Sequence, residues 1–364
     1  MASRDVATER LNPEFRAEFA KETPKDAYTL AVPWETGGKR TKRIAVADAT
    51  LETTEAEFDA ITAQVLADVR RAFFERGAAE SRQALLNDLL DLAQRVRDAA
   101  QARFDAGDAP RLELLQTELA LADARNQATG ASGAVTASRA SLNALLGYPL
   151  DDPTPIDMTL DVAAPGLTLD VALARARQTN AELAVFDRRL AEQRARIGLA
   201  QAMRQPDLTP EATLTHRAEP EFDYGWRAAI AISIPLFTTH KAGVAVEEAT
   251  LTQLIRERDA AAARVAGEVA AASAVAEAQR QQYLRYRDEI VPQALEVERM
   301  ADDAYRAGQT NIAAYLQALQ GTRDIRLKAL QAAADLQAAL GELDRAIGGP
   351  VALSNATGAS PTTP

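Results

Sequence analysis

Two histidines, four methionines and no cysteine make up the soft-ligand inventory of this 364-residue chain. His216 and His240 lie 24 positions apart, and neither has a second ligand at metal-binding spacing. Met158, Met203 and Met300 are scattered, so no fixed metal site is expected. Without cysteine, no disulfide, no thiol nucleophile, no cysteine zinc site and no lipid attachment at an N-terminal cysteine is expected of the chain as given. The acid pairs Asp151-Asp152 and Asp302-Asp303 have no neighbouring His or Ser to form an acid–base constellation, and they read as linker and as solvated helix face. Gly37-Gly38-Lys39-Arg40 invites a phosphate-loop reading. That loop needs Gly at 33 and Ser or Thr at 40, where this chain has Pro33 and Arg40. With no nucleophile constellation and no dinucleotide fingerprint, neither an enzyme nor a cofactor is expected.

The elements that carry these residues are long helices. Alanine supplies more than a fifth of the chain and aromatic residues only 5%. This composition favours coiled coils whose small side chains let helices approach closely. The net charge of -11 argues against nucleic acid as a partner. No run of 18 apolar residues exists, so no transmembrane helix is expected. Met1 to Arg10 lacks an apolar segment, and the chain as given is expected to carry no secretory signal.

From about Asn12 to Glu35 the pattern has period two. Phe15, Ala17 and Phe19 alternate with polar residues, as do Tyr28, Leu30, Val32 and Trp34, which predicts two half-buried strands. After Gly37-Gly38 the apolar spacing changes to three and four, through Ile44, Leu51, Phe58, Ile61, Val65, Leu89 and Val96. A helix is predicted to about Arg103, a rod of roughly 100 Å. Gly107 and Pro110 stop it and start the next, Leu112 to Leu146. A further helix is expected from Leu169 to about Arg204. Strands follow at Pro210 to Arg217 and at Trp226 to Leu236, where Trp226, Ala228, Ile230, Ile232, Ile234 and Leu236 share one face. A second long helix runs from Lys241 to about Arg306, with a kink or break at Pro292, and Ile312 to Ile347 returns.

The two halves align at a nearly constant offset. Phe104-Asp105-Ala106-Gly107 precedes Tyr305-Arg306-Ala307-Gly308 by 201 positions, Leu115-Gln116 precedes Leu316-Gln317 and Leu146-Gly147 precedes Ile347-Gly348 by the same number, and Val32-Pro33 precedes Ile234-Pro235 by 202. The sequence therefore reads as a duplication. Residues 1–150 are the first repeat without its N-terminal helix, 151–167 a linker, 168–348 the second repeat and 349–364 a disordered tail.

These residues resemble the TolC-like outer-membrane efflux family. The likeness rests on Val32-Pro33 followed by Gly37-Gly38-Lys39-Arg40, on Ile234-Pro235-Leu236-Phe237, on the two glycine turns and on the Leu-Gly and Ile-Gly endings, and it covers about residues 12 to 348. Trp34 to Arg40 is similar to the branch serving cobalt-zinc-cadmium-type metal efflux. The resemblance implies a mainly α fold with a small β part: two repeats of strand, strand, long helix and shorter helix, built into a homotrimer whose α-helical barrel continues a twelve-stranded β-barrel. It implies a passive conduit in the outer membrane with a periplasmic extension, partnered by a periplasmic adaptor protein and an inner-membrane efflux transporter, exporting metal cations or small toxic compounds. Phe104, Gly107, Asp108, Tyr305, Gly308 and Gln309 are then the tips that touch the adaptor. Glu113, Gln116 and Gln317 lie at the aperture, with Glu113 forming an acidic ring. Trp226, Ile230, Ile232 and Ile234 face lipid, while Arg227 and Ser233 line a wet lumen. Against the family pattern, the helix that would precede Asn12 is missing from this chain as given, which points to a misassigned start or a truncation. The competing reading is a soluble coiled-coil scaffold that binds other proteins; it leaves the lipid-type face of the last strand without a purpose.

Overall fold

The computed structural model describes residues 2–158, 168–218, 222–235 and 237–349. Among the described residues, eight α-helices and four strands follow in the order α1 (Ala2–Thr8), β1 (Glu14–Phe19), β2 (Asp26–Ala31), α2 (Lys39–Asp105), α3 (Arg111–Leu146), α4 (Leu169–Thr179), α5 (Ala181–Ala202), β3 (Asp207–Ala218), β4 (Phe222–Ser233), α6 (Lys241–Arg285), α7 (Val291–Arg306) and α8 (Ile312–Ile347). The chain is thus mainly helical with a small antiparallel sheet. Its contacts group it into two compact units, residues 1–61 with 181–264 and residues 62–180 with 265–364, and each unit draws on both halves of the sequence. The expected tail beyond Gly349, most of the expected linker, and Leu236 lie outside the described residues.

In the first unit the sheet has strand order β1-β2-β3-β4 with every pair antiparallel. Pairing fixes which side chains share a face. Tyr28 opposes Ala17 and Leu214, and Leu214 opposes Trp226; Leu30 opposes Phe15 and Ala212. This side is apolar, and Phe15 stacks on Tyr28 with ring centroids 6.4 Å apart. The other side is polar: Thr29 opposes Thr213, their hydroxyls 3.0 Å apart. β3 begins at Asp207, ahead of the expected Pro210. Pro210 lacks an N–H, but its carbonyl accepts from the Val32 amide at 3.0 Å, and Trp34 extends the pairing to Leu208. β4 ends at Ser233, so Ile234 stands just past the last paired residue.

At the strand-to-helix turn, Gly37 and Gly38 take left-handed backbone and α2 starts at Lys39. Lys39 is buried. Its ammonium donates to the Gln205 carbonyl at 2.9 Å and pairs with Asp207 at 2.6 Å, while the Thr36 amide donates to the other Asp207 oxygen. The basic residues of this turn therefore anchor the sheet's helical junctions, and Arg43 pairs with Glu35 at 2.6 Å.

The expected single helix from Leu169 to about Arg204 is interrupted where the second unit's segment 62–180 ends. Asn180 leaves helical backbone, its ψ at 120°, and its amide donates to the Ala346 carbonyl at 3.0 Å while the Thr179 hydroxyl donates to Ile347. A side-chain amide and a hydroxyl that satisfy open carbonyls at the end of α8 compensate for the lost helical turn. The break at Pro292 takes the form of a π-helical stretch, Tyr286–Ile290, between α6 and α7. Proline cannot donate to the carbonyl four residues back, and the ladder shifts so that the Val291 amide bonds to Tyr286. Val96, Ile312 and Tyr315 form one buried cluster, with Leu92, Ala301, Tyr305, Leu316 and Leu319 against it.

Candidate functional site at the helix tips

Two glycine turns end α2 and α7 with the same bonding. The Gly107 amide donates to Phe104 and the Asp108 amide to Arg103; the Gly308 amide donates to Tyr305 and the Gln309 amide to Ala304. Both glycines have φ near the left-handed minimum, 81° and 71°. Gly107, Asp108, Gly308 and Gln309 are exposed, and Phe104 is 36% exposed. α8 is then capped by Asn311, whose side-chain oxygen accepts from the Ala314 amide at 2.9 Å.

Immediately behind the turns, ends of four helices meet in one polar cluster. Arg103, in the last turn of α2, donates from one nitrogen to the Glu113 carboxylate and to the Tyr305 hydroxyl, each at 2.7 Å. Tyr305 donates in turn to the same Glu113 oxygen. The guanidinium also sits over the Tyr305 ring, 5.3 Å from its centroid. Tyr305 stacks on Tyr315 at 5.0 Å, and the Tyr315 hydroxyl donates to Asp302 at 3.0 Å. Asp302 pairs with Arg306 at 2.9 Å. Burial first, and then the bond to Glu113, pushes the Tyr305 phenol above its ordinary range; burial and the bond to Asp302 do the same for Tyr315. Arg103 is held even more firmly protonated, chiefly through its bond to Tyr305.

The expected site residues fall into three places. Glu113 is only 7% exposed, so its carboxylate is turned into the cluster with Arg103 and Tyr305 and is not solvated. Gln116 and Gln317 line one cavity of about 550 Å³ between α2, α3 and α8, together with Leu89, Leu119 and Leu316. Trp226, Ile230 and Ile232 lie on the apolar face of β4, with Trp226 83% exposed. Sequence reasoning missed Arg103 and Tyr315 as members of the tip cluster. Arg103 stands beside Phe104, but its partner Tyr305 is 202 positions away. Among the described residues, no group of three or more His, Asp or Glu could hold a metal ion, and no helix is long and apolar enough to cross a membrane.

The comparisons with known proteins agree with this architecture. The family described as "Outer membrane efflux protein" matches residues 25–148 and 172–349. The chain is 28% identical over 263 residues to the nickel-cobalt-cadmium resistance protein NccC of Alcaligenes xylosoxydans xylosoxydans, covering 68% of this chain and 57% of that protein. It is 26% identical over 228 residues to the cobalt-zinc-cadmium resistance protein CzcC of Cupriavidus metallidurans, covering 62% and 54%. The chain thus spans little more than half the length of these curated relatives. Among solved structures, the open state of the MtrE outer membrane channel of Neisseria gonorrhoeae superposes with a TM-score of 0.73 at 18% identity, over 96% of this chain and 82% of that one. With a family match that spans most of both halves, the chain belongs to the outer membrane efflux protein family.

Proposed function

We propose that this protein is the outer-membrane channel of a tripartite efflux pump, a passive conduit that carries metal cations outward. The observation that carries the reading is the sheet: one face apolar, the other polar, with β1 and β4 as its edges among the described residues. An apolar face meets lipid and a polar face meets water only in a closed barrel, because open edges leave backbone groups unsatisfied in a bilayer. Three copies of four strands give a twelve-stranded closure, and the helices form the periplasmic wall. The left-handed glycines at 107 and 308, and at 147 and 348, support a duplicated build in which residues 1–150 and 168–348 contribute equivalent parts, joined by 151–167.

The metal cargo follows from the relatives, two of which are named for resistance to nickel, cobalt, zinc or cadmium. An inner-membrane transporter supplies the energy, and a periplasmic adaptor engages the exposed turns at Gly107 and Gly308. Opening separates the hairpins at the tip, and the Arg103–Glu113–Tyr305 cluster is the contact that must break. Once Arg103 withdraws, Glu113 from each of three chains faces the aperture and favours cations. Gln116 and Gln317 follow along the same path.

Native mass spectrometry from detergent tests the assembly. A complex of three 39.1 kDa chains is expected; a monomer that leaves detergent freely and stays soluble contradicts it.

A further inference from the structure

The polar face of the sheet has an order that goes beyond wetness. Arg16 opposes Thr29, Thr29 opposes Thr213, and Thr213 opposes Arg227, so one row across the sheet reads Arg-Thr-Thr-Arg. The neighbouring row on the same face reads Glu14, Ala31, Glu211, Ala229. Residues two apart on a strand are separated by about 7 Å, so the rows lie within one Debye length of each other. In both rows the central strand β2 carries a short side chain, Thr29 or Ala31, and the charges stand on β1, β3 or β4. The Thr29–Thr213 contact at 3.0 Å marks these side chains as facing the same way. Arg16 also meets Glu18, the next residue of β1 on this face, in a loose ion pair at 3.9 Å with both side chains largely exposed, so Glu18 adds a third carboxylate beside the arginine row.

We propose that these two rows, Arg16 with Arg227 and Glu14 with Glu211, are a second ion-selecting element of the channel, in its strand-lined part and separate from the helix tips. The inference rests on the conduit reading. The two arginines and two glutamates of these rows become six of each when three sheets close, a cationic belt stacked on an anionic one, with Glu18 adding three carboxylates on the other side of the arginines. Belts of fixed charge in a lumen repel ions of like sign and concentrate those of opposite sign. The glutamate belt offsets the arginine belt for a passing cation, and removing either belt shifts the balance in opposite directions.

The test is the zero-current potential of purified trimers in planar bilayers under a potassium chloride gradient, in a Tyr305→Phe background so that the tips do not limit flow. Arg16→Gln with Arg227→Gln is expected to raise the potassium-to-chloride permeability ratio by about threefold, and Glu14→Gln with Glu211→Gln to lower it by a similar factor. These are opposite shifts from variants of similar polarity, so a general loss of fold does not mimic them. Current that flows with an unchanged ratio in both variants, or with a shift from one pair alone, overturns the paired belts while leaving the conduit standing. Absence of current from every trimer, wild type included, overturns the conduit and the belts together.

Discussion

Arg103 and Glu113 close the turn between α2 and α3 with a 2.7 Å ion pair whose carboxylate is buried and whose guanidinium is about half exposed. The pair is shared with Tyr305, which joins the first helical hairpin to the second. A buried carboxylate with two donors is expensive to strand and inexpensive to keep, which suits the closing contact proposed for the tips.

Replacing Glu113 by Ala removes the acceptor for both donors. Solvent screening at Arg103 limits the ion pair itself to about 1 kcal/mol, and the lost hydrogen bond from Tyr305 adds about another 1 kcal/mol. Thermal unfolding is expected to show Glu113→Ala less stable than the wild type, with Glu113→Gln between the two. Equal melting of all three proteins refutes a closing role for the carboxylate.

The glycine turns separate two kinds of cost. A Cβ at Gly107 or Gly308 meets open space, so alanine there suffers only the left-handed backbone, about 1 kcal/mol. At Gly348, with φ 88°, a Cβ would lie 2.3 Å from the Thr179 carbonyl oxygen and 2.7 Å from Asn180 Cα. Gly348→Ala must therefore displace the α4–α8 contact as well, at roughly 3 kcal/mol. Denaturant melts of the three variants are expected to rank Gly348→Ala clearly lowest; similar midpoints would show that α4 and α8 do not meet there.

The two tip tyrosines give the protein an alkaline limit. Their folded phenols titrate above the ordinary value of 10.0, so the neutral form is the one the fold stabilises. That contribution is complete below the unfolded pKa and disappears as pH rises through the folded values. Absorbance at 295 nm is expected to show at least two of the seven tyrosines ionising late, with the melting temperature falling in the same range. In Glu113→Ala, Tyr305 loses the acceptor that raises it and should ionise earlier. Simultaneous ionisation of all seven in the folded protein is the contrary result.

Much of this fold is legible in the residues. Gly107 with Pro110, Gly147 and Gly348 mark helix ends because few residues tolerate left-handed backbone, and Pro292 marks a break because it lacks an N–H. The alternation through Trp226, Ile230 and Ile232 identifies a one-sided strand. Other features depend on partners far along the chain. The break at Asn180 is held by α8, whose Ala346 carbonyl accepts from Asn180 and whose Ile347 carbonyl accepts from Thr179, while helical periodicity simply runs through the position. Glu113 reads as an acid of the aperture until Tyr305, 192 residues away, is placed beside it. The charge rows of the sheet require the register of β1 on β2 and of β3 on β4, which alternation alone does not supply.

In the proposed conduit, Arg103, Glu113 and Tyr305 shut the channel at its tips. Single-channel recording of purified wild-type and Tyr305→Phe protein in planar bilayers tests it most directly. Small, intermittent openings in the wild type and larger, sustained conductance in the variant are the expected result. Wild-type protein that inserts yet conducts as fully as the variant contradicts the closure, and a lack of conductance in both contradicts the channel itself.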